Sequence, residues 1–468
     1  MSQFLYFYQQ QQKNLMQLGP TLAEACLNGL QLMNNYGSIY LRAFEEIVQE
    51  KGKIFGGNTN DRSITALYET WIKLTDKELQ KELKSEQFLS LLSKYADSLV
   101  ELHSAYRVAG YPIDYFDRLL DSHKQTVRVP LSISKDFKLA PNDVVCRKGK
   151  VRLLHYHQNI HERKGNESPY LHQQQQPPQP LLIVYAPINQ FHILDLNSNK
   201  SVVRNLLSNG LDVYLLDWGY PGLEDSRLTL SEYVDNVHEA IQAIKQQAGA
   251  EKVSILGYCW GGIFALIYTT LNNDNVRNLA LMATPVDFSK DQTVLGAWSK
   301  AIDTDYMMDE FGQMDGQVLD MIFLMRNPPR YIFNKYLNFL ERLHDTEFVS
   351  TFIDTENWLY DTPPVPGNLH RQIINDCYKH NLLALNKMRL NGREGQEIDL
   401  RKVTVPLLTI IAERDDIISL ESALAVNDCV SSKDKATLRN PGGHVALCIS
   451  NEAHRKLWPE VAKWILSK

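Results

Sequence analysis

The sequence predicts an α/β protein built on a mostly parallel, doubly wound sheet. Three observations predict it. Short apolar runs rich in branched residues recur at 181–186, 211–217, 253–256 and 279–284. Helical patterns separate them, the clearest being the amphipathic stretch 230–247. The same rhythm resumes at 405–412 and 436–439 after a long interruption. Parallel neighbours need crossovers of this length, because a tight turn cannot bring a chain back to the same end of a sheet.

Size and composition suit this class. The 468 residues are 44% hydrophobic and 22% charged, with room for a large core and a second domain. A net charge of −6 offers no overall basic signal for nucleic acid. No run of 18 apolar residues predicts a transmembrane helix. The N-terminus, Met1 to Tyr8, lacks a basic start and runs into Gln9 to Gln12, which does not match a signal peptide. Six scattered cysteines form no Cys-x-x-Cys pair, which argues against a zinc site or a disulfide framework and fits a reducing cytoplasm.

Taken in order, residues 1–125 are expected to be helical. Leu67, Trp71, Leu74 and Leu79 are near helical spacing, as are Phe88, Leu91, Leu92, Tyr95, Leu99 and Leu102. Gly56-Gly57-Asn58 and Gly110-Tyr111-Pro112 are breaks. This region reads as a packed helical bundle, an interaction module, or both. A first core segment, 126–286, opens with alternation at Val127, Val129, Leu131 and Ile133. A strand pair over 144–156 then turns at Lys148-Gly149. Residues 157–179 are a polar surface loop holding Gln173 to Gln176. The histidines His155, His157, His161 and His172 lack a paired i, i+4 arrangement on a helix, and no metal is expected. Ser201 to Ser208 is a helix closed by Asn209-Gly210. In 287–400 the alternation stops and aromatics accumulate, among them Trp298, Tyr306, Phe323, Tyr331 and Trp358. An insertion of this size predicts a helical cap over a site. The last segment, 401–468, returns to strands and ends in a helix over 457–466.

The chemistry centres on Val253-Ser254-Ile255-Leu256-Gly257-Tyr258-Cys259-Trp260-Gly261-Gly262. An apolar strand runs into Gly-x-Cys-x-Gly, and a helix follows. This is the nucleophile-elbow pattern of the α/β-hydrolase fold, with cysteine in place of serine. Glycines are needed there because side chains on either side would meet the neighbouring strand and helix. A helix starting behind Cys259 favours a thiolate and an oxyanion. Such folds order their residues as nucleophile, acid, histidine. Here Cys259, then Asp415 or Asp416, then His444 each follow a strand, at the carboxyl edge where open α/β sheets bind ligands. His444 would accept the thiol proton, and the aspartate would hold the imidazole. The oxyanion would meet the backbone N–H of Trp260 and one from the 187–189 loop. Pro187 has no N–H, so Ile188 or Asn189 supplies it.

Over 125–468 the chain resembles the poly(3-hydroxyalkanoate) synthases, especially the short catalytic subunits of the class III and IV enzymes. The resemblance rests on Val184-Tyr185-Ala186 with Asn189, Leu194-Asp195-Leu196, Asp217-Trp218-Gly219-Tyr220-Pro221 and the Cys259 elbow. It extends to Thr284-Pro285-Val286-Asp287-Phe288, Glu356-Asn357-Trp358-Leu359-Tyr360-Asp361 and Pro441-Gly442-Gly443-His444-Val445. It implies polymerisation of (R)-3-hydroxyacyl-CoA with CoA release through a cysteine acyl-enzyme. It further implies a Cys/His/Asp triad, a cap, and no cofactor, the CoA thioester being substrate. The expected setting is the cytoplasm, at polyester granules, with the growing chain as partner and a homodimer as the assembly. Residues 1–125 look faintly like the helical accessory subunit of the class III system, so subunit and catalyst would be fused. The stretch 412–419 departs from the family's aspartate motif. Ungapped matching favours Asp415, and a one-residue slip would select Asp416. The 187–192 loop departs too. Two other readings stay open: a thioesterase or depolymerase of the same fold, and a non-catalytic granule scaffold.

Overall fold

A computed structural model of the chain describes residues 79–108, 139–158, 178–390 and 397–468, with six positions between 24 and 32. The expected strand at 127–133, the glycine breaks, the helical spacing around Trp71 and the 159–177 loop lie outside the described residues.

Eight strands form the main sheet: β1 (Asn142–Lys148), β2 (Val151–Tyr156), β3 (Gln179–Val184), β4 (Leu211–Asp217), β5 (Val253–Tyr258), β6 (Val276–Met282), β7 (Leu407–Ala412) and β8 (Lys435–Asn440). Their order is β1-β2-β4-β3-β5-β6-β7-β8. The β1–β2 hairpin turns at Gly149, whose φ of +57° suits glycine. β2 pairs antiparallel with β4, and every later pairing is parallel. The central strands are buried on both faces, which explains why they read as continuous apolar runs rather than alternating ones. β6 begins three residues earlier than the sequence suggests and stops at Met282, where Ala283 turns to a φ of 44°.

The crossovers form where local signals ask for them. Ser201 caps the helix Val202–Ser208 by accepting from Arg204 N–H at 2.9 Å. Thr229 and Glu232 make a capping box for Leu230–Ala248, and Gly249 closes that helix at φ 61°. Its Tyr233, Val234, Val237, Ile241 and Ile244 bury one face on the sheet. The helix Trp260–Leu271 is buried on nearly all sides, as suits the central helix of the layer.

The chain divides into two compact units. One comprises Ile133–Gly296, Gly312–Asp320 and Arg342–Lys468 and contains the sheet. The other comprises Met1–Ser132, Ala297–Phe311 and Met321–Glu341. The insertion expected as one cap over 287–400 is therefore divided between the two. In the second unit, the helix Glu86–Val108 stacks Phe88 on Trp298 at 6.0 Å, and Trp298 Nε1–H donates to Leu83 O at 3.0 Å. In the first, a short antiparallel pair, Gln313–Met314 with Val365–Pro366, joins two stretches of the insertion. No helix among the described residues is long and apolar enough to cross a membrane.

Candidate active site

β5 ends at Tyr258 and the next helix begins at Trp260, so Cys259 alone makes the turn. Its φ of 54° and ψ of −125° fall in a region that side chains rarely adopt, at roughly 1–3 kcal/mol. The surroundings hold it there. Cys259 N–H donates to Met282 O at 2.9 Å, and Cys259 O accepts from Gly262 N–H at 3.0 Å. The predicted glycine requirement is met in detail. A Cβ on Gly257 would lie 2.5 Å from Gly262 Cα. One on Gly261 would run into the carbonyl oxygens of Val184 and Tyr185, and one on Gly262 into the Thr284 side chain.

Two loops bring the other groups to this turn. The loop after β7 and the loop after β8 are stitched together by Glu413 N–H to Asn440 O at 2.8 Å and Arg414 N–H to Gly442 O at 3.0 Å. Asp415 Oδ1 accepts from Ile417 and Ile418 N–H at 2.9 and 3.0 Å, which fixes the carboxylate. Its Oδ2 accepts from His444 Nδ1–H at 2.7 Å. Of the two aspartates left open by the sequence, the carboxylate bonded to His444 is that of Asp415. Cys259 acts on the same imidazole, since its thiol is among the groups that raise the histidine's pKa. Cys259 and His444 are each 9% exposed. Burial alone would lower the histidine's pKa. The charge and hydrogen bond of Asp415, helped by the thiol, instead raise it to about 10. The site therefore favours the imidazolium form of His444.

Tyr258, whose place between Gly257 and Cys259 suggested no role of its own, holds His444 in two ways. Its hydroxyl donates to His444 O at 3.3 Å, and its ring lies against the imidazole at 5.0 Å and 22°. Tyr378, from the insertion, is buried close enough to Cys259 and Trp260 for both to act on its hydroxyl. Nothing in its sequence context distinguished it from the other aromatics of that stretch.

The residues expected to supply oxyanion donors lie on the start of the helix after Cys259 and on the loop after β3. Trp260 is the first residue of its helix, so its N–H has no acceptor within that helix. Gly261 seats the helix start against the end of β3, which brings the loop after β3 alongside. In that loop Ile188 is buried, and Asn189 takes a φ of 57°, which asparagine tolerates. Asn189 Nδ2–H donates to Leu359 O at 3.2 Å and to Thr362 Oγ1. Trp358 Nε1–H donates to Gln190 O at 2.6 Å. A small cleft adjoins the loop, lined by Tyr185, Asn189, Gln190, Trp218 and Pro363 among others, without Cys259 or His444.

Among the described residues, no group of three or more His, Cys, Asp or Glu side chains is arranged to hold a metal. His155 pairs with Asp212 at 2.7 Å and stacks on Tyr214, and His157 pairs with Asp143 at 2.8 Å.

Residues 188–447 match the family model described as alpha/beta hydrolase fold. The poly(3-hydroxyalkanoate) polymerase subunit PhaC of Allochromatium vinosum is 37% identical over 289 residues, covering 62% of this chain and 81% of that protein. The same subunit of Haloarcula marismortui is 36% identical over 340 residues, 72% of this chain and 70% of that one. That of Synechocystis sp. is 36% identical over 296 residues, 62% and 78%.

Proposed function

Because the chain belongs to the poly(3-hydroxyalkanoate) polymerase family, on the α/β-hydrolase fold, we propose that it polymerises (R)-3-hydroxyacyl-CoA, with 3-hydroxybutyryl-CoA as the expected monomer. The observation that supports the mechanism is one line of groups: Asp415 hydrogen-bonded at 2.7 Å to His444, with Cys259 acting on the same imidazole.

The steps follow from that line. His444 takes the Cys259 proton, and the thiolate attacks the thioester carbonyl. The tetrahedral oxyanion is met by the Trp260 N–H and by that of Ile188 or Asn189. Collapse expels CoA as thiolate, which recovers the proton from His444. Exchange of one thioester for another is nearly balanced, so the acyl group rests on Cys259 without a large penalty. The hydroxyl of a second hydroxyacyl unit then gives its proton to His444 and attacks the acyl-cysteine. An ester bond forms, the C–S bond breaks, and the thiolate regains the proton. Water attacking in place of that hydroxyl would make the enzyme a thioesterase, so burial of the cysteine favours polymer over acid. The working place in this reading is the surface of a polyester granule, and the assembly a homodimer, with or without a helical accessory subunit.

The test is product analysis. Purified chain incubated with 3-hydroxybutyryl-CoA is expected to release CoA and leave insoluble polyester, and Cys259→Ala to do neither. Free hydroxy acid as the product would establish the hydrolase reading. Normal polymer from Cys259→Ala would sink the cysteine mechanism, and no CoA release from the unaltered chain would leave a scaffold.

A further inference from the structure

The loop expected to hold the oxyanion is not self-supporting. Its Asn189 sits at positive φ, and both Asn189 and Gln190 are held from outside the sheet by one corner of the insertion. The helix Thr346–Leu359 ends there. Trp358 Nε1–H bonds Gln190 O, and Leu359 O with Thr362 Oγ1 takes both hydrogens offered by Asn189 Nδ2. Thr362 Oγ1–H in turn donates to Asp320 Oδ1. Asp320 lies on the helix Gly316–Met325, whose first residue packs so closely that a Cβ on Gly316 would collide with Thr362 O. The pairing of Gln313–Met314 with Val365–Pro366 fastens the same two stretches together.

Resting on the acyl-transfer reading above, we propose that Asp320 and Thr362 are positioning residues. They fix Asn189, and through it the backbone N–H groups of the 187–190 loop, in the place where the oxyanion forms.

A carboxyl group in this position needs a reason, since burying one without a charged partner is unfavourable. Asp320 is only 7% exposed. Burial pushes its pKa up to about 7; the Thr362 hydroxyl opposes the rise and Asp315 and Asp361 add to it. In either protonation state an oxygen remains to accept from Thr362. The hydroxyl is then committed as a donor to Asp320, which leaves its lone pairs for Asn189 and sets the direction of the whole relay.

The experiment is rapid-mixing measurement of the first burst of CoA released from 3-hydroxybutyryl-CoA by the full chain, which reads acylation of Cys259 alone. Thr362→Val and Asp320→Ala are each expected to slow the burst about tenfold to hundredfold at unchanged KM, the scale of a misplaced oxyanion donor. Thr362→Ser and Asp320→Asn, which keep the hydroxyl and the acceptor, are expected to stay within about threefold of the parent. With Asn189→Ala already present, Asp320→Ala is expected to slow the burst no further. Unchanged acylation in a folded Thr362→Val chain, or effects that simply add to that of Asn189→Ala, would overturn the proposal. A parent chain that acylates but yields free acid would remove the polymerase reading while the relay is still judged by the burst. A parent chain that shows no burst removes both.

Discussion

Replacing Asp415 by asparagine tests the site at its most informative point. The shape is retained, but asparagine offers an N–H where the imidazole now finds a carboxylate oxygen 2.7 Å from His444 Nδ1. His444 would turn its proton to the other nitrogen and could no longer accept one from the thiol. The size of the effect follows from the pKa. A value of about 10, against an ordinary 6.5, at 1.36 kcal/mol per unit, amounts to about 5 kcal/mol of preference for imidazolium. Asp415 supplies most of it, because burial works in the opposite direction. Acylation of Cys259 is expected to fall on the order of 10³ to 10⁴-fold. In the parent chain the alkaline fall of kcat/KM is expected near pH 10, and in Asp415→Asn well below that. Stability has the same sign. A histidine raised above its unfolded value contributes fully below about pH 6.5, and that contribution disappears as pH rises through about 10. The thermal midpoint of the parent should therefore drop over that window, and that of Asp415→Asn should drop less. Stopped-flow CoA release and thermal melts from pH 6 to 10.5 measure both. A wild-type rate and alkaline limb in Asp415→Asn would refute the reasoning, as would a comparable loss in Asp416→Asn.

Tyr258→Phe keeps the ring on His444 and loses only the 3.3 Å hydrogen bond, so acylation should stay within about threefold. Tyr258→Ala removes both and should slow acylation at least about tenfold, with a shifted pH profile measured by the same CoA burst. Gly261→Ala drives a methyl into two main-chain carbonyls that cannot move aside, and should destabilise the fold by about 2–3 kcal/mol in denaturant titration. A neutral result there would mean that the helix start does not pack on β3 as described.

Much of the fold was legible in the chain because its signals are local. Buried parallel strands announce themselves as unbroken apolar runs, and Thr229 with Glu232 marks a helix start without help from anything distant. The elbow was legible for a related reason, since a backbone that must pass between a strand and a helix can carry only glycine at 257, 261 and 262. The order of Cys259, an aspartate and His444 was readable as well. The insertion was less so. Its aromatics gave no hint that 297–311 and 321–341 group with the N-terminal helix while 312–320 and 342–400 group with the sheet, because that choice depends on contacts such as Phe88 with Trp298.

What the sequence alone determined is the chemistry available: a thiol on a strained turn, an imidazole and a carboxylate, each at the carboxyl end of a strand. What only the tertiary structure decided is which groups meet. Asp415 and Asp416 are adjacent and chemically identical. The hydrogen bonds from Ile417 and Ile418 aim the first of them at His444. Tyr258, Thr362 and Asp320 acquire roles only through partners between 42 and 186 positions away. Contacts of that kind leave no periodicity in a chain, and folding alone brings them together.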